Sequence, residues 1–202
     1  MTEKNEHVYP WSFHENFLTQ AQADELLTFL SDPNNIQFEQ HQVTVFDKTH
    51  DEPRKSLFVG DPGVSGYHYS QNKRQTHAWP SLVTQIKTQV ETYLSQQQGR
   101  EVKFNACLIN YYRDGHDKIG WHSDDEKDLA TSDIGSLSIG ATRKFRLRKK
   151  HATKGYTEEL KLTHGSLVLM TGDCQQKYKH CVPKELKVTQ PRFNLTFRLI
   201  IM

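Results

Sequence analysis

The chain has 202 residues and a mass of 23.5 kDa, which suits one domain with a single sizeable core. Its 11 glycines, 7 prolines and 25% charged residues exclude collagen, coiled-coil and low-complexity proteins. A mean hydropathy of −0.75, together with the absence of any run of 18 apolar residues, excludes a transmembrane helix. The first residues show no apolar stretch typical of a signal peptide, and the three scattered cysteines suit a reducing compartment, so we expect a cytoplasmic protein.

The net charge of +2 hides a division along the chain. Residues 1–142 hold 12 basic and 20 acidic residues, whereas residues 143–202 hold 14 basic and 4 acidic ones. The densest basic stretch, residues 143–150, has six Lys or Arg in eight positions. Such a stretch is typical either of a solvated strand edge that resists pairing or of a surface that binds polyanions, and charge alone leaves both open.

Two helices are predicted in the first half of the chain. Thr19 and Gln22 form a capping-box pattern, after which apolar residues recur at helical spacing. Pro80 marks the first turn of a second helix, a similar apolar stripe follows, and Gly99 ends it.

After the second helix, short stretches of β-branched and aromatic residues alternate with turn signals, which predicts strands. These predicted strands span residues 104–112, 134–139, 144–148, 160–163, 166–171 and 193–201. Residues 35–46 predict a further strand, which would form a hairpin with residues 55–59. Helices followed by many strands favour an α+β fold with an antiparallel sandwich or barrel.

The last predicted strand has two unlike faces. One face is apolar and the other is mostly polar, with Arg192, Asn194, Thr196 and Arg198. The strand at residues 104–112 also ends in polar side chains, Asn110 and Tyr112. Such side chains could face water, as in any half-solvated sheet, or line a barrel mouth that holds a small anion. The strand pattern alone leaves both interpretations open.

A possible metal site follows Tyr112. His122 and Asp124 are two positions apart, so on an extended chain their side chains point to the same side. With one distant histidine they would form the two-His, one-carboxylate set that suits non-haem Fe(II) and leaves open positions. The candidates for the third ligand are His151, His164 and His180. His164 stands in an apparent hairpin turn, which favours a structural role, whereas His180 stands near the exit of a predicted strand.

Several of these residues follow a recognisable order: Asn110-x-Tyr112, His122-x-Asp124, His180, then Arg192-x-Asn194-x-Thr196 and Arg198. This order resembles that of the AlkB family of Fe(II)- and 2-oxoglutarate-dependent nucleic-acid dealkylases, and among them most the animal members that act on duplex DNA. The resemblance runs from about residue 37 to the C-terminus, and its most specific parts are NYYRDGHDKIGWHSDDE and PRFNLTFR. It implies a double-stranded β-helix, or jelly-roll, core with N-terminal helices and a nucleotide-recognition hairpin region.

The resemblance also implies a division of the chain and a set of binding residues. Residues 1–202 would form one dioxygenase domain, with nucleotide recognition at about 36–78 and the catalytic jelly roll at about 102–202. Fe(II) would be bound by His122, Asp124 and His180. The cosubstrate 2-oxoglutarate would be bound by Asn110, Tyr112, Arg192, Asn194, Thr196 and Arg198, with Arg198 as the partner of its distal carboxylate.

The implied reaction is oxidative demethylation of bases such as 1-methyladenine and 3-methylcytosine in single- or double-stranded DNA, with RNA as a further substrate. It would consume 2-oxoglutarate and O2 and release formaldehyde, succinate and CO2. We expect a monomer without a membrane partner, located at the nucleoid in a bacterium or in the nucleus in a eukaryote. The alternatives are the same chemistry on tRNA or protein, and a non-catalytic nucleic-acid-binding module.

The substrate contacts implied by the resemblance are Phe46, Asp47, Lys48, Tyr67, His68, Tyr69, Asp125 and Glu126. Phe46 would act as an apolar wedge that unstacks a base step, although the adjacent acid Asp47 disfavours insertion next to phosphates. Tyr67 or Tyr69, with His122, would stack on the flipped base, and the acids Asp125 and Glu126 would face a cationic ring. Phosphates would be held by residues 143–150 together with Arg54, Lys55, Lys177 and Lys179.

Overall fold

The computed structural model describes residues 9–45, 48–64, 67–69 and 72–201. Its helices are α1 (Gln20–Ser31), α2 (Ser81–Gln98) and α3 (Cys174–Lys177). Its strands are β1 (Trp11–His14), β2 (Gln42–Val45), β3 (Lys48–Asp51), β4 (Lys55–Gly60), β5 (Tyr67–Tyr69), β6 (Asn72–Arg74), β7 (Ala106–Tyr112), β8 (Ile119–His122), β9 (Ile134–Gly140), β10 (Arg143–Lys149), β11 (Glu158–Leu162), β12 (Ser166–Met170), β13 (Tyr178–Val182) and β14 (Arg192–Arg198).

Two antiparallel sheets form the centre of the fold. The major sheet has the strand order β1-β12-β9-β14-β7-β4, and the minor sheet has the order β11-β10-β13-β8. Apolar side chains from both sheets, such as Ile134 and Met170 from one and Phe145 and Leu147 from the other, form a shared core between them. Two smaller hairpins, β2–β3 and β5–β6, precede α2. This arrangement is the jelly roll with N-terminal helices that the sequence predicted.

The two long helices cover the outer face of the major sheet, where their apolar stripes join a second core. Thr19 and Gln22 make both bonds of the predicted capping box, which fixes the start of α1. The second helix begins one residue later than predicted, because Pro80 is its N-cap rather than part of its first turn. Gly135 lets α2 approach β9 closely, since a Cβ there would lie 2.8 Å from Cγ1 of Val90.

Strand β14 is buried on both faces, which explains its unusual sequence. Phe193, Leu195 and Phe197 pack in the core beneath the helices. The opposite face points toward the space between the sheets and carries Arg192, Asn194, Thr196 and Arg198, all buried. The fully solvated interpretation of this polar face is therefore wrong.

The predicted hairpin between residues 35–46 and 55–59 is wrong. Strand β2 is shorter than predicted and pairs with β3, whereas β4 pairs along β7 in the major sheet. Among their described residues, the expected partners share one isolated bridge, between Glu39 and Ser56. A short polar strand, β3, is the better partner because it directly follows β2 in the chain, and the sequence pattern did not reveal it.

Candidate active site

Three of the predicted metal ligands converge between the two sheets. His122 ends β8 and lies opposite His180 on the neighbouring strand β13, while Asp124 follows two residues after His122. The Nε2 atoms of His122 and His180 lie 3.8 Å from Oδ1 and Oδ2 of Asp124, respectively. One ligand atom from each residue lies within 4.8 Å of the others. The three side chains therefore fit around a single ion.

The other two histidine candidates lie elsewhere. His164 accepts a hydrogen bond from the backbone N–H of Gly140, and its Nε2 lies 3.2 Å from Oδ1 of Asp24 on α1. His151 is exposed in the turn after β10. Neither belongs to the cluster around Asp124, so His180 is the third member.

Hydrogen bonds from neighbouring residues orient the cluster. The Nδ1–H of His122 donates to the carbonyl of Gly120 (2.8 Å), which directs Nε2 toward Asp124. The backbone N–H of Asp124 donates to Oε1 of Gln175 (2.9 Å), a residue of the short helix α3. Sequence reasoning missed Gln175, because a glutamine in a short polar segment before a strand carries no recognisable signal.

The electrostatics favour the protonation states that a metal requires. Burial lowers the pKa of His180 to about 3, with a further contribution from His122, and burial also lowers the pKa of His122. Burial would raise the pKa of Asp124, but the positive charge of Arg198, and that of either histidine when it is protonated, brings the pKa below its ordinary value. Two neutral imidazoles and one carboxylate at neutral pH form the donor set of the facial triad that binds Fe(II).

A small cavity opens beside the three residues. Its lining combines them with Asn110 and Tyr112 from β7 and with Asn194, Thr196 and Arg198 from β14. Strand β14 lies between β7 and β9, so that Asn194 has Asn110 on one side and Ser138 on the other. The sequence analysis missed Ser136 and Ser138, although their alternation in IGSLSIG was a signal for a polar face.

The two arginines of β14 have different surroundings. Arg198 lies at the metal end, with Nη2 3.5 Å from Oδ2 of Asp124. Arg192 lies six residues away, its guanidinium 5.1 Å from the ring centre of Tyr112 and donating to Oγ of Ser138 (2.8 Å). Burial lowers its pKa to about 10, so it remains a cation at neutral pH.

This arrangement favours a role for Arg198 other than the expected one. Because Arg198 lies beside Asp124, a ligand that reached a metal there would bring its near end, and not its distal carboxylate, to Arg198. Among the described residues, Nε and Nη1 of Arg192 are buried and donate no hydrogen bond. Buried guanidinium donors are normally bonded, so these two atoms suit a carboxylate that enters the cavity. The geometry therefore favours Arg192 for the distal carboxylate.

The predicted substrate contacts lie partly outside the described residues, since Phe46 and Asp47 are not among them. Tyr67, His68 and Tyr69 form β5, whose backbone pairs with β6, but their side chains also lie outside the description. These assignments stay predictions.

The remaining three predicted contacts are described. Lys48 is exposed on β3. Asp125 is exposed and accepts a hydrogen bond from Nζ of Lys150 (2.7 Å), whereas Glu126 is partly buried. The charge of Asp125 is therefore partly balanced within the protein.

The basic run at residues 143–150 is less uniform than its sequence indicated. Arg143 is buried and donates to the carbonyls of Asp114, Asp117 and Pro183, so its expected phosphate contact is wrong. The edge-strand interpretation is also wrong, because β10 lies inside the minor sheet.

The outward side chains of β10 have partners of their own. Nε of Arg146 donates to Oε2 of Glu159 (2.6 Å), and Arg148 stacks 4.2 Å from the ring centre of Trp121. Arg54, which was grouped with this run, is only 3% exposed and bonds to Asn110, so its predicted phosphate contact is wrong as well.

A comparison with protein families decides the identity of this site. Residues 11–198 match the model of the 2OG-Fe(II) oxygenase superfamily. The chain belongs to this superfamily. The cosubstrate and metal of the family's name, 2-oxoglutarate and Fe(II), fit the donor set of His122, Asp124 and His180 and the buried cations beside it.

The similar proteins are AlkB homologues, which confirms the resemblance seen in the sequence. The chain is 35% identical over 196 residues to alpha-ketoglutarate-dependent dioxygenase alkB homolog 3 of Mus musculus, covering 93% of this chain and 65% of that protein. It is 38% identical over 168 residues to DNA oxidative demethylase ALKBH2 of Homo sapiens, covering 80% and 62%. The chain thus spans less than two thirds of the length of these relatives.

Solved structures confirm the fold. OsALKBH1 superposes with a TM-score of 0.66 at 18% identity, covering 95% of this chain and 97% of that one. A prolyl hydroxylase from Trichoplax adhaerens superposes with a TM-score of 0.64 at 13% identity, covering 96% and 84%. Within the described part of the chain, no helix has the length and apolar character to cross a membrane.

Proposed function

We propose that this protein is an Fe(II)- and 2-oxoglutarate-dependent dioxygenase that demethylates N-alkylated bases such as 1-methyladenine and 3-methylcytosine in DNA, with RNA as a further substrate. The observation that carries the proposal is the cluster of His122, Asp124 and His180 at the end of a buried, cationic cavity. Relatives named as DNA oxidative demethylases support the choice of substrate.

In this proposal, His122, Asp124 and His180 hold Fe(II). Bound Fe(II), together with 2-oxoglutarate and O2, would supply an oxidation that hydroxylates the N-methyl group, with release of succinate and CO2, and the hydroxymethyl group would leave as formaldehyde. The contribution of the chain is to bind, to orient and to exclude water.

The residues that would bind 2-oxoglutarate are Asn110, Tyr112, Arg192, Asn194, Thr196 and Arg198. Arg192 would pair with the distal carboxylate, and Arg198 would neutralise charge beside Asp124. Since both guanidinium groups are only 1% exposed, ion pairs with a carboxylate would be strong there.

A flipped methylated base would enter from the β2–β3 and β5–β6 hairpins. Tyr67 or Tyr69, with His122, would stack on it, and Glu126 would face its positive charge. The exposed cations Lys48 and Lys149 support binding of the phosphate backbone.

We also propose that residues 1–202 act as one domain and one monomer, with the recognition region at about 36–78 and the jelly roll at about 102–202. The pairing of β4 with β7 supports the single domain, because it joins the two parts in one sheet. Cys107, Cys174 and Cys181 are free and buried, which supports a reducing location such as the cytoplasm, at the nucleoid of a bacterium, or the nucleus of a eukaryote.

The test is to incubate the protein with Fe(II), 2-oxoglutarate and oligonucleotides that carry 1-methyladenine or 3-methylcytosine, as DNA or RNA and as single or double strands. We expect the unmodified base to appear in DNA, as detected by mass spectrometry. A protein that binds these oligonucleotides and repairs none would be the non-catalytic binding module. Repair confined to RNA would place the activity on tRNA-like substrates.

A further inference from the structure

A buried group of charged residues lies beside the cavity and has no role in the mechanism proposed above. Glu52, Arg54 and Arg74 are only 3%, 3% and 2% exposed. Removing three charges from water is costly even when they are paired, so stability alone does not explain why they are here. Their connections indicate a function.

The first connection is to the cavity itself. Nε–H of Arg54 donates to Oδ1 of Asn110 at 2.8 Å. Because a guanidinium has donors and no acceptor, the Asn110 amide must place its oxygen toward Arg54. Its NH2 group is then the part of the amide that can donate to a molecule in the cavity, which Asn110 lines. The bond from Arg54 thus makes Asn110 a donor suited to an oxygen-rich anion.

The second connection leads away from the cavity. Nη2 of Arg54 lies 3.2 Å from Oε2 of Glu52, and both carboxylate oxygens of Glu52 accept hydrogen bonds from Nη2 of Arg74, at 2.8 and 3.0 Å. Arg74 is the last residue of β6, and it also donates to Oγ of Ser56, which lies opposite Asn110 in the major sheet. A chain of hydrogen bonds and one ion pair, between Arg54 and Glu52, therefore runs from Arg74 at the end of β6 to Asn110.

We propose that Arg54 is a positioning residue for 2-oxoglutarate that acts through the Asn110 amide, and that Glu52 and Arg74 couple this amide to the β5–β6 hairpin. Cosubstrate and methylated nucleic acid then bind with positive cooperativity, and each raises the affinity for the other by the same factor. The inference rests on the proposed function, since it requires 2-oxoglutarate in the cavity and a base at the hairpin.

The first test measures 2-oxoglutarate affinity by calorimetry on the full chain loaded with Mn(II), which allows binding without turnover. Arg54→Met and Asn110→Ala should each weaken binding about tenfold, the loss expected for one buried hydrogen bond. The double variant should bind no more weakly than Asn110→Ala, because Arg54 acts through that amide. Additive losses, or an unchanged affinity in Arg54→Met, would overturn the positioning role.

Controls separate positioning from folding. Arg100→Met removes an ion pair with Asp133 that lies outside the network, and it should leave the affinity unchanged. Mn(II) affinity and the thermal midpoint report on folding. If Arg54→Met folds poorly, Arg54→Lys keeps the charge but lacks the planar fork, and it should show the same weakened affinity. Arg54→Lys with the affinity of the wild type would also overturn the proposal.

The second test measures coupling. With Mn(II) present, 2-oxoglutarate should tighten binding of an oligonucleotide that carries 1-methyladenine about fivefold in the wild type. Glu52→Gln and Arg74→Lys should abolish this effect while the protein still binds both ligands. Coupling that persists in both variants would contradict the link through Glu52. A wild type that does not bind 2-oxoglutarate at all would instead overturn the proposed function.

Discussion

At the scale of single residues, Arg192 and Arg198 lie on one face of β14 but have different surroundings. Arg198 lies against Asp124, where its charge helps to keep the carboxylate ionised. Arg192 lies against Tyr112 and Ser138, away from the metal ligands. The sequence showed that both share a face, but not which end of the strand meets the metal, since that depends on where β8 and β13 cross the cavity.

An analogue of 2-oxoglutarate that lacks the distal carboxylate separates the roles expected of Arg192 and Arg198. Arg192→Met should weaken binding of 2-oxoglutarate about 30-fold, because a charge-assisted bond is lost, yet leave binding of 2-oxobutyrate within about twofold. Arg198→Met should weaken both acids. Calorimetry on the Mn(II)-loaded protein measures these affinities, and equal losses for both acids in Arg192→Met would contradict the assignment.

The metal ligands give a second prediction at this scale. His180→Ala should abolish binding of Mn(II), measured by electron paramagnetic resonance, because two ligands cannot complete the facial triad. His164→Ala is the matched control, since His164 was also a candidate and is held by Gly140 and Asp24 instead. Retained binding in His180→Ala, or lost binding in folded His164→Ala, would show that the cluster is misassigned.

At the scale of elements, strand β10 alternates between buried and half-exposed side chains. Its basic residues are therefore of two kinds: Arg143 holds three backbone carbonyls, whereas Arg148 faces outward on Trp121. Composition could not separate these kinds, because the partners of Arg143 come from distant loops.

Salt dependence of DNA binding tests the outward side chains. The affinity for DNA falls as salt rises, and Arg148→Gln should make the slope of log affinity against log salt less steep by about one, as expected for one lost phosphate contact. Arg146→Gln is the control, because Glu159 already balances its charge, and it should change the slope by less. Filter binding over a range of salt concentrations gives both slopes. An unchanged slope in Arg148→Gln would contradict a phosphate contact of Arg148 and indicate that the outward face of β10 is only solvated.

The segment that joins β2 to β3 contains Phe46, the predicted wedge. Phe46→Ala should reduce repair of double-stranded DNA about tenfold, because unstacking a base step costs a few kcal/mol, and reduce repair of single strands much less. The comparison uses the same oligonucleotide with and without its complement. Equal reductions would exclude a wedge.

The sequence predicted some elements better than others for physical reasons. Local signals such as the capping box at Thr19 and the period of two in β14 act within a few residues, so both were correct. Strands β8 and β13 were missed because Ile119–His122 contains a glycine and Tyr178–Val182 mixes polar and apolar residues. These two strands carry the histidine ligands, which pair across the sheet and not along the chain.

At the scale of the whole molecule, the two faces of the major sheet have different surroundings. The helices bury one face, and the cavity occupies part of the other, between the sheets. The acidic part of the chain supplies Asp124, while the basic part supplies Arg192 and Arg198, so both parts contribute to one site. The motifs of the family identified the three residues that the structure brings together, but the network around Glu52 was visible only in the folded chain.

The central claim is that this site couples oxidation of 2-oxoglutarate to removal of a methyl group from a base. The most direct measurement is the stoichiometry of succinate, formaldehyde and unmodified base released from an oligonucleotide that carries 1-methyladenine, with Asp124→Ala as the inactive control. We expect the three products in equal amounts from the wild type and none from the variant. Tight binding of the oligonucleotide without succinate or formaldehyde would contradict the claim.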